Sequence, residues 1–192
     1  MARTKEFDPD VVLDRALDLF WERGYEATSM ADLVERLGIA RASIYGTFGG
    51  KHELYMKALE RYLGRRDVVE VLSQPGPALP AVRAFFDAYV AECLADERRR
   101  GCMVVNSAVE LAPRDPEVAR KVVASWAQLE TALASALTRA RAQGEIPRDK
   151  DPSALASFLL VLLQGVRVLG RADPDERRLR AAVDRAMDAL RF

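Results

Sequence analysis

The dipeptide Asp-Pro occurs four times, at Asp8-Pro9, Asp115-Pro116, Asp151-Pro152 and Asp173-Pro174, and each copy heads a stretch with helical spacing of apolar residues. An Asp carboxylate accepts from the N–H groups that a first helical turn leaves unpaired, and proline fits the first helical position, where no donor is needed. Each pair therefore predicts a helix start. Ala, Leu, Arg, Glu and Asp are abundant and β-branched runs are few, so propensity favours helix along nearly the whole chain. The expected fold is all-α, with about nine helices.

From Asp8 the first helix carries Leu13, Ala16, Leu17 and Phe20 on one face and stops at Gly24. Ser29 opens a short second helix, with Asp32 three positions on as a capping-box variant and Met30, Leu33, Val34 and Leu37 as its buried stripe. Gly38 makes a turn, and a third short helix is predicted from about Ala40 to Phe48, with Ala40, Ile44 and Phe48 inward. Gly49-Gly50 ends it. A fourth helix over about 51–72 leads to Ser73-Gln74-Pro75-Gly76-Pro77, the clearest linker-like composition in the chain. Further helices are expected at about 80–94, 102–111, 116–143, 152–170 and 174–190. The predicted division is a small domain over 1–50 and a larger helical one over 51–192.

Function classes narrow by inventory. Acidic and basic residues balance at 29 each, so total charge neither supports nor excludes a nucleic-acid partner. His52 is the only histidine; no Ser-His-Asp set, His-Glu-x-x-His, cysteine cluster for a metal or glycine-rich phosphate loop is present, which argues against an enzyme and against a cofactor or metal. Two cysteines, Cys93 and Cys102, and a polar start suggest a reduced, cytoplasmic protein. The longest apolar stretch, 154–169, is broken by Ser157, Gln164, Gly165 and Arg167 and falls short of a bilayer span, so it is expected to be a buried helix and not a membrane segment.

Two short helices joined at a glycine turn and packed behind a longer first helix make a tri-helical helix-turn-helix, whose last helix enters the major groove of DNA. The stretch from Thr28 to Lys51 carries Gly38 at the turn, Ile44 and Phe48 inward, Tyr45 outward and Lys51 trailing, with Gly24-Tyr25 before it and Glu53-Leu54 after. It closely resembles the DNA-binding signature of the TetR family of transcriptional regulators. That resemblance covers roughly residues 7–60, and beyond them only the helical layout.

With Ile44 and Phe48 inward, Arg41, Ala42, Ser43, Tyr45 and Thr47 project toward solvent or the helix flanks. Arg41 can fork onto guanine edges or a phosphate, Ser43 can pair with either, and Ala42 can touch a thymine methyl. Tyr45 and Lys51 suit phosphate oxygens, and Thr28 or Ser29 could clamp another at the second helix N-terminus. The resemblance assigns base contacts mainly to Arg41, Ala42, Ser43 and Tyr45, and backbone contacts to Thr47 and Lys51. Two positions depart from the family pattern: Gly46, where larger side chains are common, and Ala40, where Ser or Thr often caps the helix. Residues 1–50 hold more acids than bases, so the acids are expected along the first helix away from DNA and the salt dependence should be modest. Arg3 and Lys5 are candidates for a minor-groove arm.

One such module reads few base pairs, so a two-fold dimer is expected. The last two predicted helices are apolar enough for one, with Leu155, Leu159, Leu162 and Val166 on the first and Leu179, Val183, Ala186 and Leu190 on the second. The resemblance implies that this hairpin pairs with its symmetry mate in a four-helix bundle, and that an effector pocket lies around the interior of the fifth to eighth predicted helices. Phe85, Phe86, Tyr89, Met103, Trp126 and Phe158, with Asn106 and Glu110 as orienting polar groups, are its candidate lining. Repression relieved by a small molecule is the expected output. Two alternatives stand beside it: electrophile or redox sensing through Cys102, as in TetR-like regulators with a similar Gly-Cys step, and a helical protein-interaction module without DNA binding.

Overall fold

The computed structural model describes residues 7–65 and 67–191, so Arg3 and Lys5 lie outside the described residues. The chain divides into two compact units, Met1–Arg65 with Asn106–Ala119, and Arg66–Val105 with Arg120–Phe192. The first of these units runs to residue 65 and takes in a second segment, 106–119.

In the first unit, α1 (Pro9–Arg23) starts as the sequence predicts, with Asp8 Oδ1 accepting from Asp10 N at 2.8 Å, and ends where Gly24 N donates to Phe20 O. It buries Val12, Ala16, Leu17, Leu19 and Phe20. The second helix, α2 (Met30–Leu37), carries the predicted reciprocal box between Ser29 and Asp32. Gly38 follows at φ 70°, the left-handed conformation that turns the chain toward α3 (Arg41–Phe48). Ala40 stands outside α3 as its N-cap and is exposed, so Ile44 and Phe48 anchor that helix without it. The reason is local: residues 40 and 44 share a face only if both are helical.

The fourth helix, α4 (Lys51–Leu63), packs along α1 and buries Leu54, Tyr55, Met56, Ala58 and Leu59, which is why the unit extends past residue 50. Burial of each large side chain contributes about 1.5–3 kcal/mol. At the surface Arg61 pairs with Asp10, and with Asp14 at 3.2 Å.

The helix expected over 51–72 breaks at Gly64, and Asp67 restarts it as α5 (Val68–Leu72) by accepting from Val69 N and Glu70 N. That break makes ten helices among the described residues. The rest of the second unit holds α6 (Ala78–Ala95), most of α8 (Pro116–Ala142), α9 (Pro152–Ala172) and α10 (Glu176–Arg191). The division between units falls within α7 (Met103–Glu110) and within α8.

The first turn of α6 has no side-chain cap of its own, and Glu145 Oε2 accepts from Ala78 N and Leu79 N at 2.8 and 2.9 Å instead. The core joins Phe85, Phe86 and Val90 of α6, Leu133 and Leu137 of α8, Leu159, Leu163 and Val166 of α9, and Leu179, Val183 and Leu190 of α10. Asp115 and Asp151 cap α8 and α9 as predicted. Asp173 does not cap the last helix: its N–H closes α9 on Leu169 O at 2.7 Å, and Asp175 Oδ1 accepts from Arg178 N.

Helix α9 is long and apolar enough to cross a membrane by composition, and in this fold it is two-faced. Leu159, Leu163 and Val166 face the unit's core, while Phe158, Val161, Val168 and Leu169 are exposed.

Candidate nucleic-acid interface

Ile44 and Phe48 are 0% and 6% exposed and fix which way α3 faces. Arg41, Ala42, Tyr45 and Gly46 are exposed, and Ser43 and Thr47 are half-buried at the flanks. Arg41 and Tyr45, one turn apart, are pre-arranged: the guanidinium carbon lies 5.7 Å from the ring centroid and Nη2 donates to Tyr45 Oη at 3.4 Å. The guanidinium fork keeps further donors for base edges or phosphate. Gly46 has nothing within 4 Å of where a Cβ would stand, so this edge of the helix is open. The first turn of α3 has no side-chain cap; Ser43 N donates to Ala40 O, and the N–H groups of Arg41 and Ala42 suit other acceptors, phosphate oxygens included. Lys51 is half-buried with Nζ 4.1 Å from the Tyr25 ring centroid, a cation on an aromatic face at the start of α4.

Two predicted phosphate contacts are placed differently. Thr28 is fully buried and its hydroxyl donates to Gly24 O at 2.6 Å, so it holds a turn and is out of reach of DNA. Ser29 is exposed, but its hydroxyl is engaged with Asp32. Hydrogen bonds from the Ser29 hydroxyl and N–H, with Arg23 3.0 Å away, hold the Asp32 carboxyl below the ordinary carboxylate value. Several acids of this region are paired: Asp10 and Asp14 with Arg61, Asp32 with Arg23, and Glu22 with Arg36 at 3.9 Å.

The effector candidates stand in several different settings. Phe85 and Phe86 are core, packed edge-on with centroids 5.6 Å apart. Tyr89 packs on Phe85 and lies under the Arg167 guanidinium, 4.6 Å from its ring centroid. Cys102 and Met103 are buried, Asn106 and Glu110 belong to the first unit, and Phe158 faces outward. Trp126 is half-buried and its Nε1 is shielded from solvent with no acceptor among the described residues. A groove of about 340 Å³ runs elsewhere in the second unit, lined by α5 at Val69, Leu72 and Ser73 and by α8 at Gln128, Thr131, Ser135 and Arg139.

Of the dimer candidates, Leu159, Val166, Leu179, Val183, Ala186 and Leu190 are buried inside the single chain, because α6, α9 and α10 pack on one another. Leu155 and Leu162 are half-buried and remain on the rim of the open face. Cys102 is only 5% exposed. Burial pushes the Cys93 thiol up, against a smaller pull from Arg167, and in the run Arg98-Arg99-Arg100 that precedes Cys102, Arg100 pairs with Asp96 at 3.2 Å.

No local pattern in the sequence marks the contacts of 106–119 within the first unit. Tyr55 Oη and Ser107 Oγ share a buried hydrogen bond of 2.7 Å, and burial pushes the phenol up to about 12. His52 Nε2 meets Asp115 Oδ2 at 2.7 Å. Burial raises the Asp115 carboxyl, but hydrogen bonds from Val118 N, His52 and Glu117 N outweigh it and hold it below its ordinary value. Glu110 accepts from Tyr25 N and Glu26 N. Sequence separations of 52 to 85 residues hide all three contacts from periodicity.

Comparison with known proteins agrees with this geometry. Residues 12–58 match the family described as bacterial regulatory proteins, tetR family, and 78–190 match the tetracyclin repressor-like C-terminal domain. The chain is 40% identical to the HTH-type transcriptional regulator YezE of Bacillus subtilis over 99% of this chain and 100% of that one. It is 34% identical to the HTH-type transcriptional repressor ComR of Escherichia coli over 88% and 82%. Among solved structures, a cysteine-substituted form of the regulator CifR in complex with a 26-bp operator duplex superposes with a TM-score of 0.87 at 35% identity, covering 97% of this chain and 99% of that one.

Proposed function

The chain belongs to the TetR family of bacterial transcriptional regulators, and from that premise we propose that it is a cytoplasmic repressor that binds operator DNA as a homodimer and leaves it when a small molecule binds. The observation that carries the reading is the outward face of α3, where Arg41 and Tyr45 stand as a stacked pair beside Ala42, Ser43 and open Gly46. Arg41 reads bases, Tyr45 and Lys51 contact the backbone, and Ala42, Ser43 and Thr47 complete the contact surface.

Two features support dimerisation through α9. Leu155, Phe158, Leu162, Gly165 and Leu169 recur at spacings of three and four, the pattern of a helix seam, and Val161 and Val168 flank them. A Cβ at Gly165 would meet nothing within 4 Å, so a second helix has room to approach. Effector binding in the C-terminal unit is supported by Trp126, whose buried indole N–H lacks an acceptor at a cost of about 1–3 kcal/mol that a ligand oxygen would relieve. An effector that binds the DNA-incompetent form better shifts the population away from the operator.

Titration of labelled duplex from the chain's own upstream region tests the DNA reading. Tight binding over random duplex is expected, with the preference lost in Arg41→Ala. Because few phosphates are neutralised, at about 0.9 log unit per contact, the slope of log affinity against log salt should stay well short of ten. Equal affinity for operator and random duplex would refute it. An effector identified by operator release should lose potency in Trp126→Phe.

A further inference from the structure

We propose that Glu110 is a positioning residue for operator binding: its carboxylate, at the last position of α7, pins the turn between α1 and α2 and so fixes how α2 and α3 are presented. The proposal rests on the DNA-binding reading of α3. Glu110 Oε2 accepts from Tyr25 N at 3.1 Å and Oε1 from Glu26 N at 2.8 Å. One ionised side chain thus satisfies two successive main-chain donors, and such charge-assisted bonds are about twice as strong as neutral ones.

The turn is shaped to receive that carboxylate. Gly24 has φ 87° and ψ 176°, a conformation open to glycine, and a Cβ there would stand 2.8 Å from Glu110 Oε2. Thr28 closes the turn from the other side through its bond to Gly24 O. Ser107 and Asp115, bonded to Tyr55 and His52 of α4, hold the segment on either side of Glu110. Helix α7 is continuous from Met103, and its first three residues cluster with the other unit. A shift of α7 by about an ångström takes the carboxylate beyond hydrogen-bond range, because these bonds weaken steeply with distance and angle. The turn is then released while the apolar core of α1, α2 and α4 stays intact.

The test uses the full chain, with three readouts: affinity for the operator duplex, affinity for random duplex at the same salt, and hydrogen exchange at the Tyr25 and Glu26 amides. Glu110→Ala should lose about tenfold or more on the operator, as expected for a lost charge-assisted pair, and less than about twofold on random duplex. Both amides should exchange faster, with helical content unchanged. Glu110→Gln keeps an acceptor without the charge and should fall between, and it carries the test if the alanine variant does not fold. Operator affinity unchanged in Glu110→Ala or Glu110→Gln despite faster amide exchange overturns the proposal, as do unprotected amides in the unaltered chain. Unaltered protein with both amides protected but no preference for operator would instead refute the DNA-binding reading, and this role with it.

Discussion

Helices α3 and α9 are each held by a buried apolar stripe, and they differ in what they leave outside. α3 is anchored by Ile44 and Phe48 and shows a guanidinium, a phenol and a bare glycine; α9 is anchored by Leu159, Leu163 and Val166 and shows Phe158, Val161, Val168 and Leu169. The first face gains little from leaving water unless its partner is charged or rich in hydrogen-bond acceptors. The second gains about 25 cal/mol for every Å² it covers against any apolar surface. The outward half of each helix, more than the inward half, names its partner.

The largest effect that would break this contrast is on α9. Val161 is 71% exposed, so Val161→Glu leaves the single chain folded but sets an unpaired carboxylate into an apolar seam, at about 3–5 kcal/mol. Sedimentation should show monomers, and operator binding should fall with dimerisation; an unchanged dimer would place the interface elsewhere. On α3, Arg41→Ala should cost about 1–3 kcal/mol of operator affinity, measured by anisotropy, with no change in sedimentation. A dimerisation defect in that variant would merge two surfaces held here to be separate.

A smaller effect sharpens the comparison. Gly46 is mid-helix with open space around it, so Gly46→Ala should raise stability by about 1 kcal/mol in thermal melts. Destabilisation would mean that α3 is packed more closely than its exposed face implies.

The smallest expected effect is on acid stability. Asp32 and Asp115 both have carboxyls below their ordinary value in the folded chain. A folded-state pKa below the unfolded one contributes fully above the unfolded value, near pH 4, and the contribution disappears as pH falls through the folded one. Asp32→Asn and Asp115→Asn should therefore flatten the melting temperature against pH below about 4.

What was legible in the sequence was local. The Ser29–Asp32 box and the caps at Asp8, Asp115 and Asp151 join residues two or three apart, so composition and spacing suffice to see them. Asp173 misled because Asp175 offers the same cap two residues on, and Leu169 O claimed the Asp173 N–H. The sequence suggests a phosphate clamp at Thr28 because burial depends on the turn around it and not on its neighbours in sequence. The apolar residues of α9 do not by themselves say which side is covered within the chain; that follows from α6 and α10, packed against it from other parts of the sequence. Glu110 shows the same limit, since a half-buried acid among apolar residues suggests a ligand contact until the distant turn it caps is known.

Among the described residues of α3, Ile44 and Phe48 are the buried ones, while Arg41, Ala42, Tyr45 and Gly46 are exposed. Target choice and foldability are thereby uncoupled. On the DNA reading proposed above, single substitutions at positions 41, 42 or 46 alter what the helix presents to a duplex without removing a buried side chain, which makes it a practical starting point for redirecting the protein to a chosen site.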